Sequence, residues 1–174
     1  MKQGTFLFIG DGFIADFNWQ KRMPHFNLCS YGISGEHVAG LLHRLPQIES
    51  AVPSPDIILI MSGINNVIAG DYTFVDQIRR AVIRLSNHYA SAEIIINSLP
   101  NIDAAFLVEQ AIYHLNINLN TMARQTGSCY LDNFAKISED RSIFKEDGTS
   151  LTTAAYDRWA RAILEYVAFL LEDD

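Results

Sequence analysis

The sequence predicts an α/β fold: a three-layer α/β/α sandwich around a five-stranded parallel sheet. Five short apolar segments alternate with helix-like stretches along the chain. The third and fourth segments are continuously apolar, a pattern typical of strands that are buried on both faces of a parallel sheet. Repeated strand–helix alternation favours right-handed crossovers within a single sheet, with helices on both of its faces. The strands are predicted at residues 5–9, 26–30, 56–61, 93–97 and 128–131.

Helices are predicted between these strands because apolar residues recur three and four positions apart. The first helix has Ser34 as its N-cap and ends at Pro46, and the second begins after Thr73. The third covers residues 105–125 and ends at Gly127, because glycine readily forms a left-handed C-cap.

A last helix is predicted to begin near Thr153, after a segment of unusual length. Residues 132–152 show no clear periodicity, and loops this long in compact domains are typically functional or mobile.

Composition limits the classes of function that suit this chain. Its 174 residues are 49% apolar and carry a net charge of −7 at pH 7. This length suits a single domain over residues 1–174, and the apolar content excludes intrinsic disorder. An acidic balance without basic runs argues against nucleic acid or an anionic membrane as the partner.

We expect neither a membrane span nor a signal peptide, and therefore a cytoplasmic protein whose Cys29 and Cys129 are reduced. The oligomeric state is not indicated.

Glycine-containing turns follow the strands at the sheet edge where ligands bind in such folds. Each turn alone is typical of a structural loop, but their order is more informative. In chain order the turns are Gly10-Asp11-Gly12, Gly32-Ile33-Ser34-Gly35, Gly63-Ile64-Asn65-Asn66 and Asp147-Gly148-Thr149-Ser150. Together they resemble the four sequence blocks of the SGNH (GDSL-like) hydrolases, a family of esterases and acylhydrolases, and the resemblance spans nearly the whole chain. It implies the flavodoxin-like α/β fold of that family.

The resemblance also implies that the catalytic groups are lost. In the family, the residue after the first Gly-Asp is the nucleophilic serine, and here it is Gly12. The last block normally reads Asp-x-x-His, in which the histidine is the base and the aspartate orients it. Here Asp147 is retained and Ser150 stands at the base position. Hydrolysis by this route needs a nucleophile beside a base, so we expect an inactive or severely impaired protein.

The oxyanion-binding residues, by contrast, are present. By resemblance, the backbone N–H groups of Gly12 and Gly32 and the side-chain amide of Asn65 would bind an oxyanion. Asp11 is a possible supporting residue. The sequence thus predicts a pocket for a small acyl or carboxylate ligand, without a cofactor.

An active ester hydrolase with unconventional catalytic residues is the alternative. None of the five histidines lies in the last block, and His37, expected in the first turn of a helix, is the best substitute base. Ser34 and Ser62 follow strands, but without an adjacent base their hydroxyls are expected to bind backbone groups. Asp11 and Asp147 together would hold Mg²⁺ at most, and hydrogen bonding of Asp11 to its own turn is favoured. No metal site is therefore predicted.

Overall fold

The computed structural model describes residues 4–102, 110–134 and 143–172. Its parallel strands form one sheet in the order β2-β1-β3-β4-β5, the order of flavodoxin-like folds. This confirms the predicted fold class, and every strand begins and ends within two residues of its predicted position. The strands are β1 (Thr5–Gly10), β2 (Asn27–Gly32), β3 (Ile57–Met61), β4 (Glu93–Asn97) and β5 (Cys129–Leu131).

Helices cover both faces of this sheet. Right-handed crossovers place α3, α5 and α6 on one face, because these helices connect strands in the same direction across the sheet. The β1–β2 connection runs the opposite way and carries α1 and α2, and α7 packs against α2. Every residue of β3 is consequently buried. The helices are α1 (Gly12–Ala15), α2 (Trp19–Arg22), α3 (Val38–Ala51), α4 (Ile64–Ile68), α5 (Val75–His88), α6 (Ala111–Thr126) and α7 (Thr153–Glu172).

An aromatic cluster joins α7 to the sheet and to α2. The rings of Trp19 and Trp159 meet edge to face, with centroids 4.7 Å apart. The indole N–H of Trp19 donates to the carbonyl of Ile14, and that of Trp159 donates to Oδ1 of Asn97, both at 2.9 Å. Because both indoles are hydrogen-bonded, these large side chains are buried without an unpaired polar group.

Helix α3 does not end at Pro46 as predicted; the proline lies inside the helix. A proline at this position cannot donate to the carbonyl four residues earlier, which usually kinks or ends a helix. Leu45 and Ile48, on either side of it, are buried in the core. The packing of these side chains holds the segment helical beyond the proline.

The start of α3 also differs from the prediction. Its N-cap is His37 rather than Ser34, and the His37 side chain makes no capping hydrogen bond. Instead, the backbone N–H of Val38 donates to Oδ1 of Asn66 at 3.0 Å. A side chain from α4, the short helix after β3, therefore caps α3, which a local sequence pattern does not reveal.

The other helix boundaries agree more closely with the sequence. Helix α7 begins at Thr153 as predicted, and the N-cap of α5 is Phe74 rather than Thr73. Helix α6 ends at Gly127, whose φ of 69° is left-handed as predicted. The predicted start of α6 lies within residues 103–109, outside the described residues. Within the part of the chain that the structure describes, no helix is both long and apolar enough to cross a membrane.

A buried ion pair connects the loop after β2 to α3 and to the ends of two strands. Nε and Nη2 of Arg44 each lie 2.8 Å from an oxygen of Glu36. Nη2 also donates to the carbonyls of Tyr31 (2.8 Å) and Gly10 (3.3 Å). The two charged side chains are only 13% and 10% exposed. One guanidinium thus holds together the carboxyl ends of β1 and β2 and the loop that follows.

We expect Arg44→Ala to lower the free energy of unfolding by about 3–5 kcal/mol, because the Glu36 carboxylate would stay buried without its partner. The matched control is Arg22→Ala, which breaks a half-exposed ion pair with Asp157 and should cost about 0–1 kcal/mol. Urea denaturation followed by circular dichroism measures both variants. Equal losses in the two would contradict the role given to Arg44.

Candidate ligand pocket

A cavity of about 290 Å³ opens at the carboxyl ends of β1 and β3. The strand order reverses at this point of the sheet, and ligands of open α/β folds bind in the crevice that the reversal creates. The four predicted sequence blocks all contribute to the lining, represented by Gly12, Ser34, Asn65 and Ser150. Residues that are far apart in the chain are thus brought together as the block order predicted.

Gly12 is the first residue of α1 and lines the cavity. The first N–H of a helix has no acceptor within the helix, so this N–H is available to a ligand. A Cβ added at Gly12 would lie 3.4 Å from Oγ of Ser34 and 3.7 Å from Oδ2 of Asp16, which are ordinary contact distances. Packing therefore does not require a glycine at the position of the family's nucleophile.

Gly32, expected to help bind an oxyanion, is not among the described residues that line this cavity. A Cβ there would lie 2.3 Å from the backbone nitrogen of Ala15, so the close approach of α1 explains this glycine. Gly35 lines the cavity instead, with a φ of 77°. Both glycines belong to the same Gly-Ile-Ser-Gly segment, and it is Gly35 that represents this sequence block in the described wall of the cavity.

Asn65 lies in α4 and lines the cavity, as predicted. Its Nδ2 donates to the backbone carbonyl of Glu36 at 3.0 Å. Because an amide nitrogen carries two N–H groups, a second one remains for a ligand. The loop after β2 therefore fixes the orientation of this side chain.

Asp147 forms a turn with the residues that follow it. Its Oδ1 accepts hydrogen bonds from the backbone N–H groups of Ser150 (2.7 Å) and Thr149 (2.9 Å). The Ser150 hydroxyl and these two N–H groups lower the pKa of Asp147 to about 2. Among the described lining residues are Ser150 and Thr149 but not Asp147. The carboxylate that orients a histidine in the family is here engaged with its own turn.

Not all of the candidate residues for an unconventional mechanism line the cavity. His37 is exposed at the N-cap of α3 and is not among the described lining residues. The expectation that two serine hydroxyls bind backbone groups was wrong. Oγ of Ser34 donates to Oδ1 of Asp16 at 3.3 Å, and Oγ of Ser62 is buried without a partner among the described residues.

Asp11 is a fully buried carboxyl group in the wall of the cavity. Its Oδ1 accepts from the backbone N–H of Phe13 at 3.1 Å, as predicted, but its Oδ2 has no hydrogen-bond partner among the described residues. Burial raises the pKa of Asp11 to about 7, although backbone N–H groups, with that of Phe13 the strongest, oppose the shift. Among the described residues, no cluster of three or more metal-binding side chains surrounds this carboxyl group.

Asp11 should make the stability of the protein depend on pH. Its pKa is higher in the folded state, so the folded protein keeps a proton that the unfolded chain releases as pH rises from about 4 to about 7. The free energy of unfolding should therefore fall across this range, by up to about 1.4 kcal/mol per unit of pKa shift. Asp11→Asn should remove this decline, as measured by urea denaturation at a series of pH values.

The matched control is Asp16→Asn, which makes the same substitution at an exposed aspartate. This variant should keep the decline seen in the wild type. A decline that persists unchanged in Asp11→Asn would show that another group is responsible.

The chain is similar in structure to known hydrolases, although no family model and no curated protein matches its sequence. A catalytic mutant of Axe2, an acetylxylan esterase from Geobacillus stearothermophilus, has 19% identity and a TM-score of 0.79 over 94% of each chain. A candidate platelet activating factor from Streptococcus pneumonia has 16% identity and a TM-score of 0.80, over 95% of this chain and 84% of that one. A candidate acylhydrolase from Bacteroides fragilis has 16% identity and a TM-score of 0.78, over 97% and 88%.

The structures of Axe2 include catalytic mutants at a serine, at an aspartate, and at a histidine three positions after that aspartate. The likeness to these proteins extends over nearly the whole of the present chain and includes the five-stranded parallel sheet. The chain therefore has the fold that its sequence blocks predicted, that of the SGNH hydrolases.

Proposed function

We propose that this chain is a catalytically inactive or severely impaired protein of the SGNH hydrolase type, which binds a small acyl ligand in the cavity at Gly12. The observation that carries the proposal is the chemistry of the cavity wall. Gly12 offers an N–H but no nucleophilic side chain, and no histidine is found among the described lining residues. Axe2 has a catalytic histidine three positions after its catalytic aspartate, whereas Asp147 is followed at that distance by Ser150.

The usual serine mechanism cannot proceed with these groups. It needs a hydroxyl or thiol to attack the acyl carbon and a base to accept the proton. The Ser150 hydroxyl is not a base near neutral pH. When members of such a triad are removed, about 10³–10⁴-fold catalysis over water remains, supplied by oxyanion binding and substrate binding. Any residual hydrolysis should be of that order.

The hydrogen-bond donors of the cavity favour an acyl carbonyl as the ligand group. The N–H of Gly12 and the second N–H of Asn65 are both donors, and a carbonyl oxygen is an acceptor. A free carboxylate is less well suited above pH 7, because Asp11 is then ionised beside Asp16 and Lys145 is the one cation among the described lining residues. A neutral ester or amide is therefore favoured over a carboxylate in this pH range.

The double variant Gly12→Ser, Ser150→His tests the proposal most directly. We expect the wild type to hydrolyse p-nitrophenyl acetate no faster than about 10³–10⁴-fold over water. The double variant should be faster, because Gly12 has space for a side chain and Asp147 precedes position 150 by three residues. The two single variants are the controls, since neither restores both nucleophile and base.

Efficient hydrolysis by the wild type would overturn the inactive assignment. The ligand part is tested on the same protein by calorimetry with N-methylacetamide and with acetate at pH 8. The amide should bind more tightly than acetate. Failure of both to bind at about 10 mM, a concentration at which even millimolar affinities are detected, would remove the acyl ligand from the proposal.

One observation favours the alternative of an active ester hydrolase with unconventional residues. The Ser34 hydroxyl lies 3.4 Å from where a Cβ of residue 12 would stand, and it donates to the Asp16 carboxylate. In this alternative Ser34, which lies beside a carboxylate and close to the usual nucleophile position, is the nucleophile. If the wild type is active, Ser34→Ala should abolish turnover, whereas Ser50→Ala, which removes an exposed hydroxyl from α3, should not.

A further inference from the structure

A second cavity, of about 460 Å³, lies at the same edge of the sheet but away from the cavity at Gly12. It is bounded by α6 and by the residues that follow β4 and β5, such as Asn101 and Asp132. We call it the α6 cleft. None of the residues of the four sequence blocks lines it, so it is distinct from the cavity at Gly12. Its volume lies within the range typical of small-molecule sites.

Side-chain amides dominate the polar lining of the α6 cleft. They belong to Asn101, Gln110, Asn116 and Asn120, and Asp132 adds one carboxylate. Among the described residues of the lining there is no lysine, arginine or histidine. An amide both donates and accepts hydrogen bonds, as a hydroxyl does, so this lining suits a neutral ligand with many hydroxyl groups. The carboxylate and the lack of a cation disfavour an anion.

One of these amides fixes the wall of the cleft while the others remain available. Oδ1 of Asn116 accepts from the backbone N–H of Leu99 at 2.7 Å, and its Nδ2 donates to the carbonyl of Leu99 at 3.0 Å. This pair anchors α6 to the residues after β4. The side chains of Asn101, Gln110 and Asn120 make no hydrogen bond to the described residues. The cleft therefore combines a fixed wall with uncommitted donors and acceptors, as a preformed site requires.

Aromatic and aliphatic side chains supply the apolar part of the cleft. Tyr113 and Ile117 lie one turn apart on α6 and are 62% and 45% exposed, although both are large and apolar. Tyr130 also lines the cleft, and its hydroxyl has no hydrogen-bond partner among the described residues. A sugar ring has an apolar C–H face as well as hydroxyl groups, so it matches a lining that combines the exposed ring of Tyr113 with side-chain amides.

The backbone is strained at one of the residues that line the cleft. Gln110 precedes α6 with a φ of 60°, the one positive φ of a non-glycine residue in the described part of the chain. Such conformations persist where the surrounding structure enforces them, and they are concentrated at ligand sites. The residue with this conformation contributes a side-chain amide to the lining of the cleft.

We infer that the α6 cleft is a binding site for a short neutral saccharide, separate from the pocket at Gly12. The amides of Asn101, Gln110 and Asn120 hydrogen-bond its hydroxyls, and Tyr113 packs against a ring face. The inference does not depend on the acyl-ligand proposal, because the two sites share no described lining residue.

The test is a titration of the full chain, labelled with ¹⁵N, with four neutral trisaccharides: maltotriose, cellotriose, xylotriose and triacetylchitotriose. At least one should bind saturably and shift the amide signals of α6 residues rather than those near Gly12. Tyr113→Ala and Asn120→Ala should each weaken that binding about tenfold, through loss of ring packing and of hydrogen bonds. Phe169→Ala, which removes a 59% exposed aromatic ring from α7, is the matched control and should leave binding unchanged.

Three results would overturn the inference. One is no shift with any of the four sugars at about 10 mM, where millimolar affinities are still detected. Another is a set of shifts confined to the residues around Gly12. The third is binding that Tyr113→Ala and Asn120→Ala leave intact, provided that circular dichroism shows both variants folded.

Discussion

The guanidinium group of Arg44 fixes the side of the pocket that β1, β2 and the loop after β2 form. It contacts the carbonyls that end β1 and β2 and, through Glu36, the loop between β2 and α3. The backbone carbonyl of Glu36 in turn orients the side chain of Asn65. The same carboxylate contributes to the raised pKa of Asp11, after the larger effect of burial. Removal of one partner from a buried ion pair strongly destabilises a protein. The folding stability of the chain therefore depends on this region keeping its shape.

This dependence separates the shape of the pocket from its catalytic competence. The residues that hold the walls in place are not those that attack an ester or move a proton. The proposed absence of a nucleophile and a base is therefore compatible with a well-formed cavity. The likeness to an acetylxylan esterase and to a candidate acylhydrolase lies in the arrangement of strands and helices, which does not by itself determine function.

The sequence predicts those features that depend on local patterns. Continuous apolar residues mark β3 because both faces of that strand are covered, and Gly127 marks the end of α6 because few other residues adopt its conformation. Contacts between distant segments are harder to predict. Pro46 stays helical because the core packs on either side of it. Asn66, which lies in α4, caps α3, and no local sequence pattern indicates that contact.

The candidate site shows the same division. The order of the four blocks predicts that Gly12, Asn65 and Ser150 line one cavity, and they do. The choice between Gly32 and Gly35 could not be made from the sequence, because it depends on how closely the backbone of α1 passes over β2. The burial of Asp11, and hence its raised pKa, likewise results from the folding of several turns around it.

The two glycines at this edge also differ in how freely they can vary. At Gly32 a methyl group would overlap the main chain, so selection for a folded protein is enough to exclude other amino acids there. At Gly12 there is space for a side chain, so the packing of the fold does not exclude one. Of these two glycines, then, only the one at position 32 is required by the packing of the backbone around it.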